Sequence, residues 1–207
     1  MTFAKLFSAA VLTAALSFAQ YKVSPAGPPP AEASALAGAL VQDGLKVAKP
    51  DGSTLCEIWT VATAPKEGTV EQNATWGAPQ GTLLGVVRAP ARWSDRRGQT
   101  IKPGVYTMRL SFYPMNGDHQ GVALQRDFAI LSPAAVDTNP AALPAFDALM
   151  DMSRKASGTP HPLVLSLWKE SSALPVAVEA DGDTDQVLHF KVGDVPVSMI
   201  IVGKSEH

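Results

Sequence analysis

The sequence predicts an all-β chain, most simply an antiparallel β-sandwich of about 8–9 strands with one inserted α-helix over 144–155. Three observations carry that expectation. Short alternating or wholly apolar runs recur, with turn residues roughly every ten positions. The 207 residues include 16 Gly and 17 Pro, and only 17% are charged, against roughly 25% in ordinary soluble domains. Helical patterns do not alternate with strands, which disfavours a parallel α/β sheet. A closed or partly closed barrel is the alternative, because it shares the same strand and turn pattern.

Residues 1–19 read as a secretory signal peptide. Lys5 precedes an apolar run from Leu6 to Leu16, too short to span a bilayer, and Ser17-Phe18-Ala19 supplies small residues for cleavage after Ala19. An amphipathic helix is a poor reading, since Leu6, Phe7, Val11 and Leu12 leave no polar face. Export to the periplasm or the extracellular space follows, and no later segment has the apolar length of a membrane span. Residues 20–43 form a Pro- and Ala-rich leader, extended or disordered, ahead of a sandwich domain over 44–204.

Within that domain, Leu45 to Lys49 and Thr54 to Ala62 flank Pro50-Asp51-Gly52-Ser53 and predict a hairpin. Cys56 lies in the second of these strands. As the lone cysteine of the chain it has no intramolecular partner, and it reads as a small buried hydrophobe rather than a reactive thiol. Thr82 to Ala89 is an apolar run fit for burial on both faces. In Val105 to Pro114, Tyr106, Met108, Leu110 and Phe112 alternate with Thr107, Arg109, Ser111 and Tyr113, which predicts one core face and one wet face. Val122 to Leu131 pairs with it across Asn116-Gly117, directing Val122, Leu124, Phe128 and Ile130 inward. Arg126 breaks that row. Either a bulge carries it into solvent, or it is buried against a carboxylate, with Asp118 and Glu57 as candidates.

The helix is read from the stripe Phe146, Leu149, Met150 and Ser153, with Asp147 early, Arg154 and Lys155 late, and Gly158 and Pro160 as stops. Strands resume at Leu163 to Lys169 and Pro175 to Ala180. Gln186 to Val192 and Val195 to Val202 form a closing hairpin, whose Pro196 marks an edge strand or the start of a strand.

With 17 basic against 19 acidic residues, no basic stripe exists to hold nucleic acid or an anionic membrane surface. Catalytic signatures are missing: the sequence has no Gly-x-Ser-x-Gly, no phosphate-binding loop and no His-Glu-x-x-His. The candidate ligand-binding residues are therefore the loop residues Asp118 and His119, between the strands 105–114 and 122–131, and His161 after the helix, together with Arg126 in the second of those strands. If the two loops meet, Asp118, His119 and His161 could hold a divalent transition metal, though no cofactor is specified. His189 reads as structural or surface. Asp181-Gly182-Asp183-Thr184-Asp185 resembles the front of a calcium loop but lacks the later Gly and Glu, so an acidic turn is the simpler reading. Arg92, Arg96 and Arg97 with Asp95 could hold an acidic ligand or form a solvated loop with internal ion pairs.

Gly98-Gln99-Thr100-Ile101-Lys102-Pro103-Gly104-Val105-Tyr106-Thr107, together with Asn116-Gly117-Asp118-His119-Gln120-Gly121 and Arg126-Asp127-Phe128, resembles exported bacterial β-sandwich proteins of unassigned function. The resemblance spans about a quarter of the chain and implies an architecture rather than an activity. The expected function is that of an exported, non-enzymatic binding or envelope-associated protein. Metal binding, or metal-dependent catalysis through the His119 and His161 loops, is the alternative.

Overall fold

The computed structural model describes residues 20–115 and 125–204. Its first strand, β1 (Lys22–Pro25), already departs from expectation, because it lies in the stretch read as a leader. A kinked 3-10 helix follows over Ala31–Ala39 and sinks Ala33 and Leu36 into the core. The leader is thus part of the folded body, and the domain begins at least 20 residues before Leu45. The cause is its apolar content: small alanines let the turns approach the sheet closely, and Leu36 and Leu40 fill the space beneath.

Turn chemistry sets the next pairing. Asp51 Oδ1 accepts hydrogen bonds from Ser53 N–H at 2.8 Å and from Ser53 Oγ at 2.6 Å, and this folds β2 (Leu45–Ala48) onto β3 (Thr54–Thr60). Gly44, just before β2, packs against Trp59. A Cβ there would stand 2.5 Å from the indole nitrogen, which donates to Gly27 O at 2.7 Å. The glycine is what lets the leader and β3 share that indole.

The remaining strands are β4 (Leu83–Ala89), the two-residue β5 (Trp93–Ser94) and β6 (Thr100–Ile101), β7 (Gly104–Phe112), β8 (Asp127–Pro133), β9 (Leu163–Lys169), β10 (Ala177–Asp181), β11 (Asp185–Val192) and β12 (Val195–Val202). A single α-helix among the described residues, α1 (Phe146–Ser157), sits between β8 and β9. It falls where the apolar stripe predicts, shifted by a turn fraction at each end, and Gly158 at φ +70° closes it in the left-handed conformation.

The chain is mostly antiparallel β. Ten strands pair in one sheet, in the order β1-β2-β3-β4-β7-β8-β9-β12-β11-β10, and β5 and β6 pair separately. The first and last strands of that order, β1 and β10, lie against each other, which makes the sheet a near-barrel. The strand count exceeds the expected 8–9 by β1, β5 and β6. The two stacked sheets of a sandwich do not emerge from the pairing, which runs unbroken from β1 to β10. Pro196 stands second in β12, a central strand, so it marks a strand start and not an edge.

Both faces of the sheet are covered around β7, β8 and β9. Met108, Leu110, Ala129, Leu131, Leu163 and Leu165 point into the main core. On the opposite face Phe128, Ile130 and Val164 pack beneath Leu149 and Met150 of α1. The expected wet face of β7 is therefore dry, and Thr107, Arg109 and Ser111 are each at most 2% exposed. Phe128 and Ile130 belong to this outer layer, not to the inward row assigned to them.

Candidate functional site

What covers the outer face of β7 is held there by one buried charge. Arg109 Nε and Nη2 donate to the two oxygens of Asp137 at 2.6 and 2.7 Å. Its Nη1 donates to Gly81 O and Ala142 O, and Nη2 also reaches Asn139 O. Thr107 Oγ1 donates to Asp137 as well, at 2.6 Å. The guanidinium is fully buried, and with all these acceptors it straps the segment after β8 across the sheet.

Beyond that strap, between α1 and strands β7 to β9, lies a half-open cavity of about 280 Å³. Its floor and walls are Phe112, Tyr113, Phe128, Ile130, Phe146, Met150 and Val164, with Ser111 set among them. At one end stand Arg97, Arg154 and the Pro160-His161-Pro162 turn. Both guanidiniums are anchored to that turn: Arg97 Nη2 donates to Pro162 O at 2.8 Å and Arg154 Nε to Pro160 O at 2.9 Å. Carboxylates stand behind them, Asp95 on Arg97 at 2.9 Å and the exposed Asp151 on Arg154 at 3.2 Å, and neither acid lines the cavity. Two buried polar atoms of the lining residues, Ser111 Oγ and Arg97 Nε, have no hydrogen-bond partner among the described residues.

No protein-family model, curated protein or solved structure matches the chain.

Of the residues singled out in the sequence, His161 is exposed on the cavity rim. Asp118 and His119 lie outside the described residues, as do the strand residues Val122 and Leu124. Among the described residues no three His, Cys, Asp or Glu side chains gather as metal ligands do. Arg126 is absent from the cavity lining. It is buried, donating from Nε to Tyr113 O at 2.9 Å and from Nη1 to Gln72 O at 3.0 Å and Glu71 at 3.2 Å. Of the two carboxylates expected for it, Glu57 instead pairs with Arg88 across β3 and β4. Arg126 precedes β8 and ties the 71–73 loop to the end of the sheet, also donating its backbone N–H to Asn73 O. Its neighbour Asp127 does the same for Thr75 and Trp76, whose N–H groups donate to its two oxygens. Burial pushes the Asp127 carboxyl above its ordinary range, against the opposing pull of those two donors.

The arginine cluster divides in a similar way. Asp95, nearly inaccessible, accepts from the N–H groups of Arg97 and Gln99 and from Arg97 Nη2. Arg96 pairs with Asp185 at 2.9 Å, so an acid of the calcium-like turn is spent on a structural contact. Trp93 Nε1 donates to Ile201 O and locks the β5–β6 pair over the sheet.

A second polar cluster was missed in the sequence because it joins three strands, β9, β11 and β12. His189 Nδ1 lies 2.7 Å from Ser198 Oγ, which donates to Glu170 Oε1 at 2.5 Å, and Trp168 Nε1 donates to the same oxygen. Ser198 has one proton and Glu170 takes it, so His189 faces the hydroxyl as a donor and not as a base. Ser198 is also fully buried. The order Glu–Ser–His is structural, unlike a nucleophilic triad in which the histidine stands between acid and serine.

Proposed function

We propose that the chain is an exported binding protein that takes a small, largely apolar ligand into the cavity between α1 and the β7–β9 face, without catalysis. The observation that carries the reading is the cavity itself. A volume of about 280 Å³ lies close to the lower end of the roughly 300–1,000 Å³ range of small-ligand sites, and an apolar lining with a few convergent polar groups is their usual composition. Phenylalanine, isoleucine, methionine and valine side chains bind by removing surface from water and move no protons. Export rests on the Lys5, Leu6–Leu16 and Ser17-Phe18-Ala19 pattern. The finer description of the architecture as a sandwich rests on the spacing of strand and turn signals together with the quoted resemblance, and pairing favours a barrel-like description.

A titration with 1-octanol, followed by the methyl NMR signals of Ile130, Met150 and Val164, tests the cavity. Saturable shifts confined to those methyls are expected, and they should vanish in Val164→Phe, which fills the space. Shifts spread evenly over the surface would overturn the reading. N-terminal sequencing of protein recovered from outside the cytoplasm tests export, with Gln20 expected as the first residue.

A further inference from the structure

The cavity is asymmetric, and its asymmetry specifies a ligand. Resting on the binding function above, we infer that the ligand is an aliphatic carboxylate whose chain lies among Phe128, Ile130, Phe146 and Met150 and whose head group meets Arg97 and Arg154.

Several observations converge on a head group that accepts hydrogen bonds. The two guanidiniums are brought together by carbonyls only two residues apart, Pro160 O and Pro162 O, so both stand on the same turn of the lining. Among the described residues no Asp or Glu lines the cavity to exclude an anion. Arg97 Nε and Ser111 Oγ, both on residues of the lining, are buried without a hydrogen-bond partner among the described residues, which leaves hydrogen-bonding capacity on that side. A guanidinium with spare N–H groups is the side chain best matched to a planar two-oxygen acceptor.

Opposing effects are present and are smaller. The C-terminus of α1 ends at the same mouth and carries partial negative charge, but Arg154 and Lys155 occupy its last turn and offset it. Asp95 neutralises part of Arg97's charge while engaging Nη2 and leaving Nε unpaired. Asp151 is exposed and its bond to Arg154 is long for a charged pair, so solvent screens it. A neutral alcohol would gain the same apolar burial with a weaker acceptor, and an alkylammonium would add a third cation to the mouth.

Calorimetric titrations with octanoate, 1-octanol and octylammonium at neutral pH and physiological salt separate these possibilities. Octanoate is expected to bind about tenfold more tightly than 1-octanol, the margin of one charge-assisted hydrogen bond, and octylammonium more weakly than either. Arg154→Gln, half exposed in the native protein, should lower the affinity for octanoate about tenfold and that for 1-octanol by a smaller factor. Equal affinity for octanoate and 1-octanol in the native protein would overturn the carboxylate assignment and leave the apolar cavity standing. Binding of none of the three would overturn both.

Discussion

Arg109 shows what a single residue can conceal in a sequence. Set between Met108 and Leu110 it looks like an outward residue of an amphipathic strand, and its partner Asp137 is 28 positions away in a loop. Nothing local reports that pairing, because alternation tells only which residues share a face and not what lies over it. A buried ion pair is costly to break on one side, so Arg109→Met should lower stability by about 3–5 kcal/mol in urea unfolding. The double variant Arg109→Met, Asp137→Leu should recover part of that loss, since it removes both charges; strict additivity would mean the two do not interact. Cys56, in contrast, was legible: a lone cysteine in a strand-like run reads as core, and it is fully buried, with desolvation and the nearby Glu57 pushing its thiol up to about 12. The unfolded thiol ionises near 8.5, so between these values the folded state holds the extra proton and stability falls as pH rises, by at most about 1.4 kcal/mol per unit. Burial also raises the hydroxyl of Tyr106, which acts in the same direction. Cys56→Val should therefore lose stability less steeply than the native protein between pH 9 and 12, and parallel curves would show that another group sets the slope.

At the scale of elements, runs bounded by Gly, Pro and Asp were readable, and β4, β9 and the β11–β12 hairpin lie where such signals place them. Two-residue strands were not, since β5 and β6 are too short to show any period. Helix α1 was visible through its stripe, yet its N-terminus is imperfect: Ala145 occupies the cap position at φ −61°, ψ 156°, with no side-chain hydrogen bond to the first turn. Ala145 is exposed, so a serine there has room to accept an N–H of that turn. Ala145→Ser is expected to add about 1 kcal/mol, or roughly 2–4 °C in a thermal scan of a chain this size. An unchanged midpoint would mean that α1 is already fixed by Leu149 and Met150 and that its fraying end does not limit unfolding. Because α1 roofs the cavity, the same variant tests whether the roof can be stiffened without loss of ligand.

On the scale of the whole molecule, strand propensities and turns could not distinguish a sandwich from a near-barrel, since both use the same alternation. The difference lies in whether the ends of one sheet meet, and here the end strand β1 comes from the very segment whose composition suggested an extended or disordered leader. Proline and alanine usually mark extended, solvated chain, but Ala33, Leu36 and Leu40 are each at most 2% exposed, and Leu40 bridges to Val61. The leader also supplies Gly27 O to the Trp59 indole. A chain beginning at Gly44 would lose β1, both leucines and that acceptor together. Burial of a leucine contributes about 1.5–3 kcal/mol, so the two side chains alone represent a large part of the roughly 5–15 kcal/mol that holds an average domain folded. Urea unfolding of this truncation beside a chain beginning at Gln20 decides between a tether and a structural strand. A tether would leave the midpoint in place, whereas a strand that completes the near-barrel should lower it steeply or prevent folding, because its loss exposes Trp59 and the edge of β2 together.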